Sequence, residues 1–426
     1  MQLLQTTDKD FSVRFKALVS DRREATVDVS GTVKDILADV KVRGDAAVKE
    51  YTTKFDHYSP PSLHLSADFI AERAAQCAPD VKTALELAAE RIGFFHQKQL
   101  PQDIGYTDTA GVKLGLNWVS LSQVGIYVPG GRASYPSSVL MNALPAKIAG
   151  VERIVMAVPM PRGEINPAVL AAAQIAGVTE IYSIGGAQAI AALAYGTETL
   201  TPVDKIVGPG NAYVAEAKRQ VFGTVGIDSV AGPSEILVVA DSQNNPEWIA
   251  WDLLSQAEHD PSAQSILITD SASFAEKVMA AIEQILPQLR TQEVARTSWE
   301  KHGAVILLEN LADSIPLLNQ LAPEHVELCV DHPQELASKI KCAGSIFLGR
   351  YTPEAIGDYL GGPNHVLPTG RSARFASGLS VYDFLKRITY LECSQQALQT
   401  IGQAAVTLAT AEGLPAHGGS VSIRLQ

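Results

Sequence analysis

Residues 153–195 read RIVMAVPMPRGEINPAVLAAAQIAGVTEIYSIGGAQAIAALAY, in which two short apolar runs alternate with two helical patterns. Arg153 to Val158 and Glu180 to Ile184 have the length and composition of strands. Pro167 to Ala176 and Ala187 to Tyr195 have the pattern of helices. Downstream, the alternation continues with a strand at Lys205-Ile206-Val207 and a helix from Ala212 to Val221. After a break near Ala231-Gly232-Pro233 a second series begins. Its expected strands are Ile236 to Ala240, Ser265 to Thr269, Ala304 to Leu308, Val326 to Val330 and Ser345 to Leu348. The helices expected between them are Pro246 to His259, Phe274 to Leu286, Ser314 to Leu321 and Pro333 to Ile340. Strand–helix alternation at this spacing calls for parallel sheets covered on both faces, an α/β fold.

Around this centre the chain changes character. The first 120 residues read as more helical, with Val81, Leu85, Ile92 and Phe95 giving Val81 to Gln97 one apolar face. After Arg374, Leu391 to Ala411 reads as a helix and Gly413 to Gln426 as extended. The expected domains are 1–120 together with 238–375, then 121–237, with 380–426 as a tail. A chain of 426 residues is too long for one compact core. Hydrophobic residues make up 46% and charged residues 19%, an ordinary balance for a globular protein. The net charge of −12 argues against nucleic acid as a partner and fits an acidic cytoplasmic protein. Met1 to Phe15 lacks the apolar core of a signal peptide, and no run approaches 18 apolar residues, so no membrane span is expected. Cys77, Cys329, Cys342 and Cys393 show neither metal-binding spacing nor the density of a disulfide framework.

Chemistry gathers in a few fragments. Gln256 and His259 stand three apart at the end of an apolar helical stretch, so both can project from one face and grip one cation. Pro323-Glu324-His325, Gly357-Asp358-Tyr359, Glu412-Gly413 and Ala416-His417-Gly418 offer further partners. Two histidines, a carboxylate and an amide oxygen form a mixed set that suits zinc and leaves room for substrate. His259 taken alone also reads as a cation at a helix C-terminus. Glu324 and His325 fall at a loop–strand junction. A histidine there suits a base near neutral pH, and a neighbouring glutamate suits the activation of water. No G-x-G-x-x-G with a later acidic residue is present. Gly208-Pro209-Gly210-Asn211 and Ile184-Gly185-Gly186-Ala187-Gln188 are instead glycine-rich turns between strand and helix. Such turns can receive a diphosphate or can simply turn the chain.

Several long strings resemble the histidinol dehydrogenase family. They are Ala231-Gly232-Pro233-Ser234-Glu235, Ser255-Gln256-Ala257-Glu258-His259, Ala322-Pro323-Glu324-His325-Val326-Glu327 and Glu412-Gly413-Leu414-Pro415-Ala416-His417. Tyr127-Val128-Pro129-Gly130-Gly131 and Gly208-Pro209-Gly210-Asn211-Ala212-Tyr213 join them, in the family's order, from about residue 25 to the end. The resemblance implies two incomplete Rossmann-like units with smaller terminal segments in an intertwined homodimer. It also implies oxidation of L-histidinol to L-histidine through bound L-histidinal, with two NAD reduced. By resemblance, one zinc ion per subunit is held by Gln256, His259, Asp358 and His417, and the substrate's imidazole and amine complete its shell. Glu324 activates water and His325 is the base. Ser234 and Glu412 bind substrate together with His325 and the metal ligands. Tyr127, Gln188 and Asn211 contact NAD. The tail carrying Glu412 and His417 is implied to cross into the partner's site. His365 matches no role, and Arg132 is a candidate for a phosphate contact. Two rivals stand beside this reading. One is an aldehyde dehydrogenase with Cys329 as nucleophile; the other is a zinc-stabilised binding protein or a dehydrogenase of another amino alcohol.

Overall fold

The computed structural model describes residues 1–21, 28–130, 135–230 and 232–426. Its strands begin with β1 (Gln2–Gln5), β2 (Ile104–Thr107) and β3 (Lys113–Ser120). Next come β4 (Gln123–Tyr127), β5 (Arg153–Ala157), β6 (Glu180–Tyr182), β7 (Lys205–Val207) and β8 (Gly226–Ile227). The last are β9 (Glu235–Ala240), β10 (Gln264–Thr269), β11 (Ala304–Leu307), β12 (His325–Cys329), β13 (Ser345–Leu348) and β14 (Leu385–Glu392). They form three sheets, ordered β6-β5-β4-β7-β8, β1-β11-β10-β9-β12-β13 and β14-β3-β2.

Every pairing in the five- and six-stranded sheets is parallel, and helices join the strands, so the fold is α/β as the alternation predicts. The reason lies in the strands themselves. Every residue of β9 and β10 is buried, which demands cover on both faces. In the two large sheets the order reverses between β4 and β7 and between β9 and β12. These switch points are where open parallel sheets form crevices at the carboxyl ends of their strands.

Helices before residue 100 bury their apolar faces largely on the five-stranded unit. The Ser30–Arg43 helix packs on Gly186–Tyr195, and Pro79–Gln97 packs on Pro136–Ile148. Among the described residues before 100, only β1 and the Phe11–Ser20 helix reach the six-stranded sheet, where Gln2 to Gln5 lies alongside β11. Four residues carry too little periodicity to announce a strand, so β1 is absent from the sequence reading. So is the Gln292–His302 helix.

The expectation of an extended C-terminus is corrected. Residues Pro415–Ser422 form a helix, opened by a proline whose fixed φ suits the first turn. It packs back on the Gln395–Ala411 helix, and Gly402 leaves space for the Leu425 side chain. This tertiary contact overrides the weak helical preference of Gly418 and Gly419. Among the described residues, no helix is long and apolar enough to cross a membrane.

Candidate active site

The amino edge of the six-stranded sheet gathers most of the residues singled out above. β12 opens at His325, which lies beside Ile236 of β9 and Ser345 of β13. Gly344 must be glycine here, because a Cβ would come within 2.5 Å of the Glu324 carbonyl oxygen. Parallel sheets usually place their sites at the carboxyl edge. In this sheet that edge is closed at the switch point by Arg350, which bridges Asp241 at 2.6 Å and Asp331 at 2.5 Å. Asn244 adds a bond to the Cys329 carbonyl at 2.7 Å.

His325 is 4% exposed and its Nδ1 lies 2.9 Å from the Glu235 carbonyl oxygen. A carbonyl only accepts, so Nδ1 carries the proton and Nε2 is left as the basic nitrogen. Burial pushes the imidazole down to about 4, against the opposing pull of Asp358 and the Glu235 carbonyl. Glu324 accepts the Glu235 N–H at 3.0 Å, and its Oε2 lies 3.7 Å from His325 Nδ1. Burial raises its carboxyl well above the ordinary range, with Glu235, Asp358 and Glu354 adding to the rise. Two adjacent groups are thus driven apart, the carboxyl toward holding a proton and the imidazole toward lacking one.

The Pro246–Ala257 helix returns from β9 to the same edge. Gln256 is fully buried at its end. Its Nε2 lies 3.2 Å from His259 Nδ1, while its Oε1 has no partner among the described residues. Asp358 comes from the short Glu354–Tyr359 helix, and ligating atoms of His325, Glu354 and Asp358 all lie within 4.8 Å of one another. Burial pushes the Asp358 carboxyl up, but His365, His325 and His259 together outweigh it and leave it below the usual value. A buried amide oxygen without a partner, an imidazole and a depressed carboxylate are donors that suit a zinc ion. Ser234 is adjacent, with its carbonyl accepting the Gln264 N–H at 3.0 Å.

His365, without a role in the sequence reading, has Nδ1 at 3.1 Å from the Asp358 carbonyl and Nε2 at 3.5 Å from Ser138 Oγ. Ser138 belongs to the Pro136–Ile148 helix over the other large sheet, so His365 ties the two units together at the site. Glu354 and Glu327 went unrecognised too. Glu354 Oε1 is 3.5 Å from His325 Nε2, and burial followed by repulsion from Asp358 raises its carboxyl to about 8. Glu327, fully buried on β12, accepts the Glu354 N–H at 2.6 Å. The available signal was an acid inside an apolar strand, two residues after His325. Glu412 and His417 are not brought in. Both are exposed, and their hydrogen bonds fall within the tail, to Leu408 and Leu414.

Tyr127 ends β4, and Gln188 and Asn211 follow β6 and β7, all at the carboxyl edge of the five-stranded sheet. The Tyr127 hydroxyl accepts the Gly186 N–H at 3.1 Å, and burial raises its pKa to about 12. Gln188 is buried with its Oε1 unpartnered among the described residues. Asn211 Oδ1 caps the Ala212–Val221 helix, accepting from Tyr213 and Val214 at 3.1 and 3.2 Å. Arg132 falls outside the described residues. Cys329 is 3% exposed with its thiol raised by burial and by Glu327, which deprives the thiohemiacetal reading of a reactive thiolate.

The sequence model of the histidinol dehydrogenase family matches residues 19–425. The chain belongs to the histidinol dehydrogenase family. Histidinol dehydrogenase 1 of Nostoc sp. is 84% identical over 426 residues, spanning 100% of this chain and 99% of the relative. The histidinol dehydrogenase of Rhodospirillum rubrum is 59% identical over 425 residues, with 99% and 98% covered. The crystal structure of histidinol dehydrogenase from Elizabethkingia anophelis superposes with a TM-score of 0.95 at 37% identity, covering 100% of this chain and 98% of that one. Membership of the histidinol dehydrogenase family makes the chain an NAD-dependent oxidoreductase of histidine biosynthesis.

Proposed function

We propose that this chain oxidises L-histidinol to L-histidine in two NAD-linked steps, with L-histidinal held between them and with one zinc ion per subunit. The observation that carries the reading is that His259, 3.2 Å from Gln256, acts electrostatically on both Asp358 and His325, the latter beside Glu324. Bound by these residues, zinc would supply a positive charge that holds the substrate's imidazole and amine nitrogens. Each of two NAD molecules would supply the acceptor for one hydride.

The protein's own groups manage orientation and protons. His325, with Nδ1 pinned to the Glu235 carbonyl, takes the alcohol proton on Nε2 in the first oxidation. Glu324, whose raised pKa makes its ionised form a strong proton acceptor, then removes a proton from water as it adds to the aldehyde carbon. His325 meanwhile returns the alcohol's proton to the former carbonyl oxygen and is neutral again. The resulting hydrate loses its hydroxyl proton to His325 in the second oxidation. Ser234 hydrogen-bonds the substrate beside this pair. Tyr127, Gln188 and Asn211 form the nucleotide edge, and both NAD molecules use it in turn. The alternative edge at β9 and β12 is closed by Arg350 and its two aspartates.

Two assigned residues, Glu412 and His417, stand on the exposed tail. We assign them to the site of a second copy of the chain, giving a homodimer with shared sites. Leu391 and Leu408 are each 64% exposed and Ile423 is 65% exposed, an apolar surface that a partner subunit would cover. The protein is taken to be cytoplasmic. The test is NADH formation from L-histidinol, with and without a strong chelator. Steady NADH formation that chelation abolishes and Zn²⁺ restores is the expected result. Full activity in metal-free protein would end the zinc reading, and no NADH formation would end the histidinol reading.

A further inference from the structure

The turn Gly208-Pro209-Gly210-Asn211 joins β7 to the Ala212–Val221 helix. Gly208 has a φ of +114°, and a Cβ there would lie 2.2 Å from the Tyr127 carbonyl oxygen, so the turn is pressed against the end of β4. Both backbone groups of this one glycine are held by charged side chains. Its N–H donates to Asp228 Oδ2 at 2.8 Å, and its carbonyl accepts from Lys218 Nζ at 2.9 Å. Lys218 and Asp228 also pair with each other, with side chains only 3% and 5% exposed. Asp228 Oδ1 accepts the Ser229 N–H at 2.7 Å besides. Lys218 comes from the helix that Asn211 caps, and Asp228 follows β8.

A buried ion pair is a poor way to gain stability, since desolvating two charges can cost more than their attraction returns. Apolar side chains would fill the same space. Here the pair instead fixes one peptide at the crevice between β4 and β7, where the sheet order reverses. We propose that Lys218 and Asp228 are positioning residues for the nucleotide site. They clamp Gly208 so that Asn211 stands at a set distance from Tyr127 and Gln188 before NAD arrives. The inference rests on the assignment of NAD to this edge. Lys218 acts through Gly208, and its ammonium is committed to the clamp.

The test is the double variant Lys218→Met/Asp228→Asn, which removes both charges, roughly conserves volume and keeps an acceptor for the Gly208 N–H. Either single change strands a buried charge and risks unfolding. The readouts are KM for NAD, direct NADH binding by fluorescence, KM for L-histidinol and bound zinc. With the fold intact by circular dichroism, KM for NAD and the NADH dissociation constant should rise about tenfold, equivalent to about 1.4 kcal/mol. KM for L-histidinol and zinc content should change by less than about twofold. A folded double variant with unchanged NADH affinity overturns the proposal, as does an equal loss across all four readouts. Asn211→Ala and Gln188→Ala separate the two layers of argument. If they weaken NADH binding and the double variant does not, only the clamp fails; if they too leave it unchanged, the nucleotide assignment itself fails. Should the double variant not fold, amide exchange in the wild-type enzyme decides. Gly208 N–H is expected to be protected without NAD, and free exchange there would overturn the clamp.

Discussion

The surroundings of His325, more than its residue type, suit it to the proposed role of base. A free imidazole titrates near 6.5, but burial lowers this one to about 4. Below pH 6.5 an exposed histidine takes up a proton, whereas His325 stays neutral and able to accept one from substrate. The acid limb of kcat/KM should therefore lie below about pH 6; a limb at 6.5 or above in a pH–rate profile would contradict the burial account. The two oxidations should also separate. Glu324→Gln should slow oxidation of histidinal more than that of histidinol, because only the second half-reaction needs activated water. His325→Asn should lower kcat for both by about 10²–10⁴-fold. Equal slowing of both steps by Glu324→Gln would sink this division of roles. Cys329→Ser should stay active, since the thiol is buried and its pKa raised. The Glu324-His325 pair was visible as adjacent polar groups at a loop–strand junction. Glu354, which lies against the His325 ring nitrogen, was not, because its burial comes from elements far apart in the chain.

Three elements meet at the site: the Pro246–Ala257 helix, β12 and the Glu354–Tyr359 helix. Glu327 joins them, accepting the Glu354 N–H and sharing a hydrogen bond with Asp252 of the first helix. Burial followed by repulsion from Asp252 raises its folded pKa well above 4.5. Between 4.5 and that higher value the folded state holds a proton that the unfolded chain has lost. The stabilising contribution of this proton is thus complete below about pH 4.5 and disappears as pH rises through the folded pKa. Glu327→Gln keeps the acceptor and a donor without the titration. Its melting temperature should fall less than that of the wild type as pH rises above about 4.5 toward the folded pKa of Glu327. Parallel melting curves would show that Glu327 does not carry the proton. Among the metal donors, His259→Ala should lower zinc content more than Gln256→Ala, because a neutral amide oxygen is the weaker ligand. The reverse order in metal analysis would reassign the set. At this scale the strand–helix alternation was legible from residue 124 onward. The Pro415–Ser422 helix was not, because its packing on Gln395–Ala411 rather than its own periodicity holds it.

At the scale of the whole molecule, one chain sets His259 beside Gln256 and within electrostatic reach of Asp358 but holds Glu412 and His417 on an exposed tail. If the tail completes a neighbour's site, Gln256→Ala and His417→Ala should complement each other. In a mixed dimer one site inherits both lesions and the other neither. Refolding an equal mixture of the two inactive variants should therefore regain about a quarter of wild-type activity, since about half the dimers are mixed. No recovery would mean that each site is built within one chain, and the shared-site model would be abandoned.

By itself, the sequence determined the α/β class, through buried strands too apolar to face water on either side. It also determined the chemical identities around Gln256, Glu324, His325 and Asp358, because those residue types stand in distinctive strings. Tertiary structure alone decided at which edge of each sheet the candidate residues gather. In the six-stranded sheet the ion pairs of Arg350 with Asp241 and Asp331 occupy the carboxyl edge, and Glu324 and His325 lie at the amino edge. It alone also drove the pKa values of Glu324 and His325 apart. Those outcomes depend on charges and burial contributed by residues tens to hundreds of positions away, and no local pattern records such distances.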